Sequence, residues 1–181
     1  MIFRALILSL AALLIFVADA HSQRRDYMTD EEIELVRDAQ DIDLRITLLT
    51  RMIDRRFNAI GIETGGWKPK EKELDKWGEL PTTDRVRAFS DIRSILQKAA
   101  DDIDDIAGRN EITQAQNKVE GKLFPKAVRA LAAAAERYLP HLIKAETSAE
   151  TMSERGNLQT AIELCEAIIE SVAKLKSESR K

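Results

Sequence analysis

The sequence predicts an all-α fold: an antiparallel bundle of about four main helices with short extra helices, preceded by a signal peptide. Three observations carry this. Apolar residues recur at spacings of three and four through four long segments, the mark of a helix with one buried face. No segment alternates apolar and polar residues as a half-buried strand would. Seven glycines, four prolines and few aromatics leave little material for the tight turns of a sheet protein, while Ala, Leu, Glu, Lys, Arg and Ile are abundant and favour helices.

The first element is an address. Arg4 is the only charge before an uncharged, largely apolar run from Ala5 to Ala18. That run is short for a spanning helix, which needs roughly 20 residues, and it fits the apolar region of a secretory signal. Ala18 and Ala20 are small residues at −3 and −1 of a cut after Ala20, and the chain then turns polar. Residues 1–20 are therefore expected to be a signal peptide, and 21–181 a single helical domain, exported to the periplasm or the extracellular space. A retained anchor and a buried first helix are the alternatives. Contact with a membrane is expected only if the segment is retained.

The mature chain opens with a helix start: Thr29 and Glu32 are spaced as a capping box, and Asp30 and Glu31 suit the positive end of the helix dipole. Ile33, Val36 and Ala39 share a face. Asp41 or Asp43 caps a second helix or marks a kink. Ile42, Ile46, Leu49, Ile53, Phe57 and Ile60 then form one stripe, with Arg45, Arg51, Arg55 and Arg56 largely off it. Gly61 is a natural stop. Residues 61–82 form an irregular connection that carries both tryptophans, Trp67 and Trp77, with one short helical turn opened by Pro69 and ending near Trp77 and Gly78.

A long helix follows from Asp84 to Ala107, capped by Thr82 or Thr83 and ended by Gly108. Its stripe is Val86, Phe89, Leu96, Ala100 and Ile103, widened by Ile92, Ile95, Ala99 and Ile106. After a polar connection, Pro125 is placed in the first turn of a helix carrying Val128, Leu131, Ala135, Leu139 and Leu142. The alanines of 130–136 offer a narrow surface to a neighbour. Pro140 removes one backbone bond and is expected to kink this helix. The last helix begins within 148–157, with Ser153 or Thr151 as cap. Its seam is Leu158, Ile162, Cys165, Ile169 and Val172, flanked by Ala161, Ile168 and Leu175. Antiparallel packing is the default for such stripes.

Composition excludes several classes of function. The net charge of −3, with Lys and Arg scattered, argues against nucleic acid, which calls for a concentrated basic face. One cysteine allows no intrachain disulfide, so stability rests on packing. A di-iron bundle needs Glu-x-x-His pairs, and Tyr138 stands three before His141. Covalent haem needs Cys-x-x-Cys-His. Met52 and His141 could pair formally as haem ligands, but a methionine on an apolar stripe reads as core. Zinc lacks a ligand set. Phosphate-cradling and nucleophile-elbow motifs are absent. Cys165 reads as a small core hydrophobe, or else as an exposed thiol joining two chains.

Two clusters remain. Asp101, Asp102, Asp104 and Asp105 read as a solvated, partly paired helix face, balanced by Arg109, Lys118 or Lys122. The rival reading is a weak ion site, although the calcium-loop pattern breaks at Ile106. Trp67 and Trp77 either fold back to plug one end of the bundle or stand out as anchors for a partner. The plug is the expected outcome, because a chain with so few aromatics gains most by burying them.

The stretch "TDEEIELVRDAQDIDLRITLLTRMIDRRFNAI", followed by an acidic helix and an alanine-rich one, resembles uncharacterised exported all-helical proteins of bacteria. In these, "VRDAQD…R…R" recurs after a signal peptide. The resemblance implies export and an all-helical fold, with no activity, cofactor or site residue to carry over. The expectation is thus a non-enzymatic binding or structural module with an unknown protein partner, no catalytic, cofactor or metal residues, and homo-oligomerisation left open. The alternative is a bundle that binds a small ligand or metal ion.

Overall fold

The computed structural model describes residues 26–113 and 120–178. Residues 1–20, expected to be a signal peptide, Lys118, and the side chains of Arg109, Lys122 and Leu175 lie outside the described residues. Those described residues are all-helical, with no strand among them. The helices are α1 (Asp30–Asp38), α2 (Ile42–Ala59), the short α3 (Leu74–Trp77), α4 (Arg85–Thr113), α5 (Glu120–Thr147) and α6 (Met152–Glu178). One 3-10 turn, Glu71–Glu73, precedes α3.

Local chemistry accounts for most of the helix ends. The Thr29–Glu32 capping box is formed: the Glu32 amide donates to Thr29 Oγ1 at 3.3 Å, and the Thr29 amide donates to Glu32 Oε2 at 3.0 Å. Helix α3 ends at Gly78, whose φ of +65° and ψ of −177° lie in a region that glycine alone adopts readily. At α6 the cap is Thr151, whose Oγ1 accepts from the Glu154 amide at 3.1 Å.

Three ends differ from expectation. The residue that caps α4 is Asp84, accepting from the Arg87 amide at 2.8 Å; a carboxylate there outcompetes the preceding threonines. Gly108 does not end α4, which runs on to Thr113. Glycine in a helix interior costs only about 1 kcal/mol, and no proline follows to enforce a stop. Pro125 likewise stands inside α5 rather than in its first turn, because the helix already begins at Glu120.

Helix α2 packs on α4 and α5, and α6 packs on the same two helices. Direction can be read from side-chain pairs. Arg56 meets Asp91 and Arg45 approaches Asp102, so α2 and α4 run antiparallel. The short turn between α5 and α6 makes that pair antiparallel as well. Asp43 meets Lys126 and Asp54 meets Arg137, so α2 and α5 run parallel. Helices α4 and α6 are also parallel: Arg85 meets Glu154 at one end, and Ile103 and Ile168 line the same groove further along. Antiparallel packing of every neighbour is thus not what the contacts show. Consecutive α4 and α5 touch only slightly, which brings like-directed helices side by side.

The core is built from the stripes, with their centres shifted. On α2 the predicted residues are buried from Ile42 to Phe57. On α4 the residues read as flankers, Ile92, Ile95 and Ala99, are fully buried, whereas Val86, Ala100 and Ile103 are half-buried. On α6 the centre is Leu158, Ala161, Cys165 and Ile168, with Ile162 and Ile169 half-buried. Helix α6 turns its small residues inward because it lies close to α5, whose Ala127, Ala132, Ala134 and Ala135 are buried. Tyr138 fills the centre with its ring 5.5 Å from Phe57 and its hydroxyl donating to Thr50 O at 2.9 Å.

Candidate functional site

The unusual chemistry lies where α2 meets the connection spanning 60–84. Four charged side chains there are buried: Glu32 on α1, Arg55 and Arg56 on α2, and Asp91 on α4. Arg55 and Arg56 do lie off the apolar stripe of α2, yet they are among the largest fully buried side chains, at 0% and 1% exposure. Sequence reasoning missed them. The available signal was Glu32 in a capping box, followed at a distance by two adjacent arginines on a strongly apolar helix.

Glu32 accepts four hydrogen bonds: from the Thr29 amide, from Arg55 Nη1 at 2.8 Å, and from Arg56 Nη1 and Nη2 at 2.7 and 2.6 Å. Arg56 Nη2 also donates to Tyr27 O at 2.6 Å, and its Nε to Asp91 Oδ2 at 3.3 Å. Arg55 Nη2 donates to the carbonyls of Gly78 and Glu79, and its guanidinium lies 5.5 Å from the centre of the Trp77 ring. Burial pulls the Arg55 guanidinium below its ordinary pKa, while Glu32 opposes the shift. Two cations and two anions balance, which makes their burial tolerable.

A third buried carboxylate, Asp54, shapes the other half of the connection. It accepts from Thr64 Oγ1 at 2.9 Å, from the Trp67 amide at 2.8 Å, and from Arg137 Nη2 at 3.2 and 3.3 Å. Gly66 passes so near that a Cβ there would stand 2.1 Å from Asp54 Oδ1. Asp54 also contributes to raising the Tyr138 phenol well above its ordinary pKa, after the larger effect of burial.

The two tryptophans are brought together. Their ring centres are 4.7 Å apart, with Arg51 over Trp67 at 5.2 Å. Trp77 is buried, while Trp67 keeps part of its surface exposed. Leu74 and Leu80 of the same connection are exposed. The connection therefore shows Leu74, Leu80 and one edge of Trp67 among exposed charged residues, on a frame set by buried charges.

The other sequence candidates are dispersed. Asp102 is buried and pairs with Lys98 at 3.0 Å, Arg45 stands 4.0 Å away, and Asp101 accepts from Gln97. Among the described residues no group of three or more His, Cys, Asp and Glu side chains is placed to hold a metal ion. Met52 is fully buried, and the His141 ring packs 6.3 Å from Phe57. His141 also borders a groove of about 460 Å³ with Ile62, Glu63, Arg85 and Lys144. Cys165 is a free, buried thiol that burial pushes up to about 12. No described helix is long and apolar enough to cross a membrane. Comparison with protein-family models, with curated proteins and with solved structures finds no match to this chain.

Proposed function

We propose that this chain is an exported, non-enzymatic helical module that acts by protein–protein contact through its Trp67-bearing connection. Its four long helices serve as a bundle, with α2/α4 and α5/α6 antiparallel, and residues 1–20 are a signal peptide. The observation that carries the contact reading is the way the connection is held. The link from 60 to 84 is long for a helix–helix connection, and its only regular structure is one 3-10 turn and the single turn of α3. This one is tied down by two buried charged side chains, Asp54 and Arg55, with Trp67 left half-exposed at its outer edge. Buried charges set a defined shape and add little net stability, and a rigid aromatic edge is what binding hot spots use. The short apolar run ending in Ala18-Asp19-Ala20, and the resemblance to exported helical proteins, support the export half of the proposal.

In-cell cross-linking followed by purification tests the contact reading. Trp67→Ala should fold as the native chain does and lose the recovered partner, whereas Glu163→Ala on exposed α6 surface should keep it. Partner recovery unchanged by Trp67→Ala overturns the assignment. N-terminal sequencing of the protein from its host should begin at His21, and a retained Met1 favours an anchor. The groove beside His141 and Lys144 favours a second reading, a small ligand held between helices. A reproducible rise in melting temperature with haem or a divalent ion would support it.

A further inference from the structure

We infer that α1 is a releasable strap whose Glu32 fills a two-arginine carboxylate receptor, and that an acidic amphipathic helix of another chain is the ligand class that displaces it. Independent helices shorter than about 12–15 residues are marginal in water. Helix α1 has nine residues, so it depends on docking. Its buried hydrophobic residues are Leu35 and the C-cap Ala39, with Val36, and Tyr27 and Met28 just ahead of the helix, packed part-buried against the core. Three hydrogen bonds from Arg55 and Arg56 to Glu32, and one from Arg56 to Tyr27 O, tie the segment to α2.

The receptor is built largely without α1. Arg55 is steadied by the carbonyls of Gly78 and Glu79 and by the Trp77 ring, and Arg56 by Asp91 of α4. With α1 lifted, the two guanidinium groups face Asp91 with one positive charge in excess. They remain splayed to receive a carboxylate in the same forked geometry. The joint to α2 is a short non-helical break, with Ala39 and Asp41 both in extended conformation. The bend is held there by Arg45, whose Nε and Nη2 donate to Ala39 O at 3.2 and 2.8 Å. The vacated place is helix-shaped, with an acid at one position and an apolar anchor three residues on, as Glu32 and Leu35 are. That spacing defines the ligand: a helix bearing Glu-x-x-Leu on one face.

Hydrogen exchange on the intact chain in low urea tests the strap. Amides of 30–38 should exchange at least tenfold faster than those of 92–99, with little dependence on urea. If both sets share one urea-dependent opening, α1 is part of the global unit and the inference falls. The receptor is tested with a synthetic peptide of residues 27–40 and the Glu32→Gln chain, because a tethered native α1 has too high an effective concentration for a free peptide to displace. The peptide should bind saturably, and its own Glu32→Gln form at least tenfold more weakly. Equal binding of the two peptides overturns the carboxylate receptor. Should the Glu32→Gln chain fail to fold, Arg45→Ala, which loosens the joint without touching the receptor, should speed exchange at 30–38 and leave 92–99 unchanged; equal acceleration of both sets overturns the strap.

Discussion

One substitution, glycine to alanine, should have three different outcomes at three positions, each set by what surrounds the added methyl group. At Gly66 the new Cβ would lie 2.1 Å from Asp54 Oδ1 and 2.4 Å from both Cγ and Oδ2. Ordinary contact begins near 3.4 Å, so the connection and the carboxylate must part by about 1 Å or more. The bonds from Thr64 Oγ1 and the Trp67 amide, now 2.9 and 2.8 Å, would then exceed hydrogen-bonding range. Each is a bond to a charged group, worth about 1.5–3 kcal/mol. Part of this returns as the outer residues regain water, so Gly66→Ala should cost about 3 kcal/mol. Gly65 has open space around it but a φ of +70°, so Gly65→Ala should cost about 1–2 kcal/mol from left-handed strain alone. Gly156 is helical and unobstructed, so Gly156→Ala should stabilise by about 0.5–1 kcal/mol. Urea unfolding followed by far-ultraviolet circular dichroism measures all three without relying on tryptophan. Equal costs at Gly65 and Gly66, or less than about 1 kcal/mol at Gly66, would refute the claim that Asp54 holds the connection.

Trp77→Ala should destabilise by about 3–5 kcal/mol, as expected for a buried large aromatic. The Trp67→Phe chain, which reports Trp77 alone, should emit blue-shifted light and resist acrylamide, whereas Trp77→Phe leaves a more readily quenched residue; equal quenching would contradict the burial difference. On α6, Leu158→Ala should cost about 2–5 kcal/mol and half-buried Ile162→Ala clearly less, with exposed Glu166→Ala within about 0.5 kcal/mol; matching losses at Leu158 and Ile162 would mean the seam is centred elsewhere. Cys165 should resist maleimide in the folded chain and react on unfolding. Because its thiol is held up to about 12 in the fold and ionises near 8.5 in the unfolded chain, its contribution is complete below pH about 8.5 and declines as pH rises from there towards 12. Cys165→Ala should flatten that part of the stability–pH profile, and an unchanged slope would remove the thiol from the account.

The sequence by itself determined what depends on near neighbours along the chain. The Thr29–Glu32 cap, the stripe from Ile42 to Phe57, the turn ending at Trp77 and Gly78, and the all-helical class all follow from spacings of three and four and from local hydrogen-bonding chemistry. Tertiary structure decided what depends on which helices meet. Periodicity marks an apolar face but not the line along which a neighbour lies. Close approach to the alanines of α5 therefore moved the α6 seam from Ile162 and Ile169 onto Ala161 and Ile168, with Leu158 and Cys165 kept, and the parallel pairing of α2 with α5 brought Arg137 to Asp54. Burial of Arg55 and Arg56 was beyond any local rule. A guanidinium off the apolar stripe reads as solvated until carboxylates from other elements arrive to balance it, and here Glu32 comes from α1 and Asp91 from α4. The same holds for the tryptophans. Their place in an irregular connection was readable, but their meeting at 4.7 Å, with Trp77 inside and Trp67 at the edge, required α2 to supply Arg51, Asp54 and Arg55 at successive points along one helix.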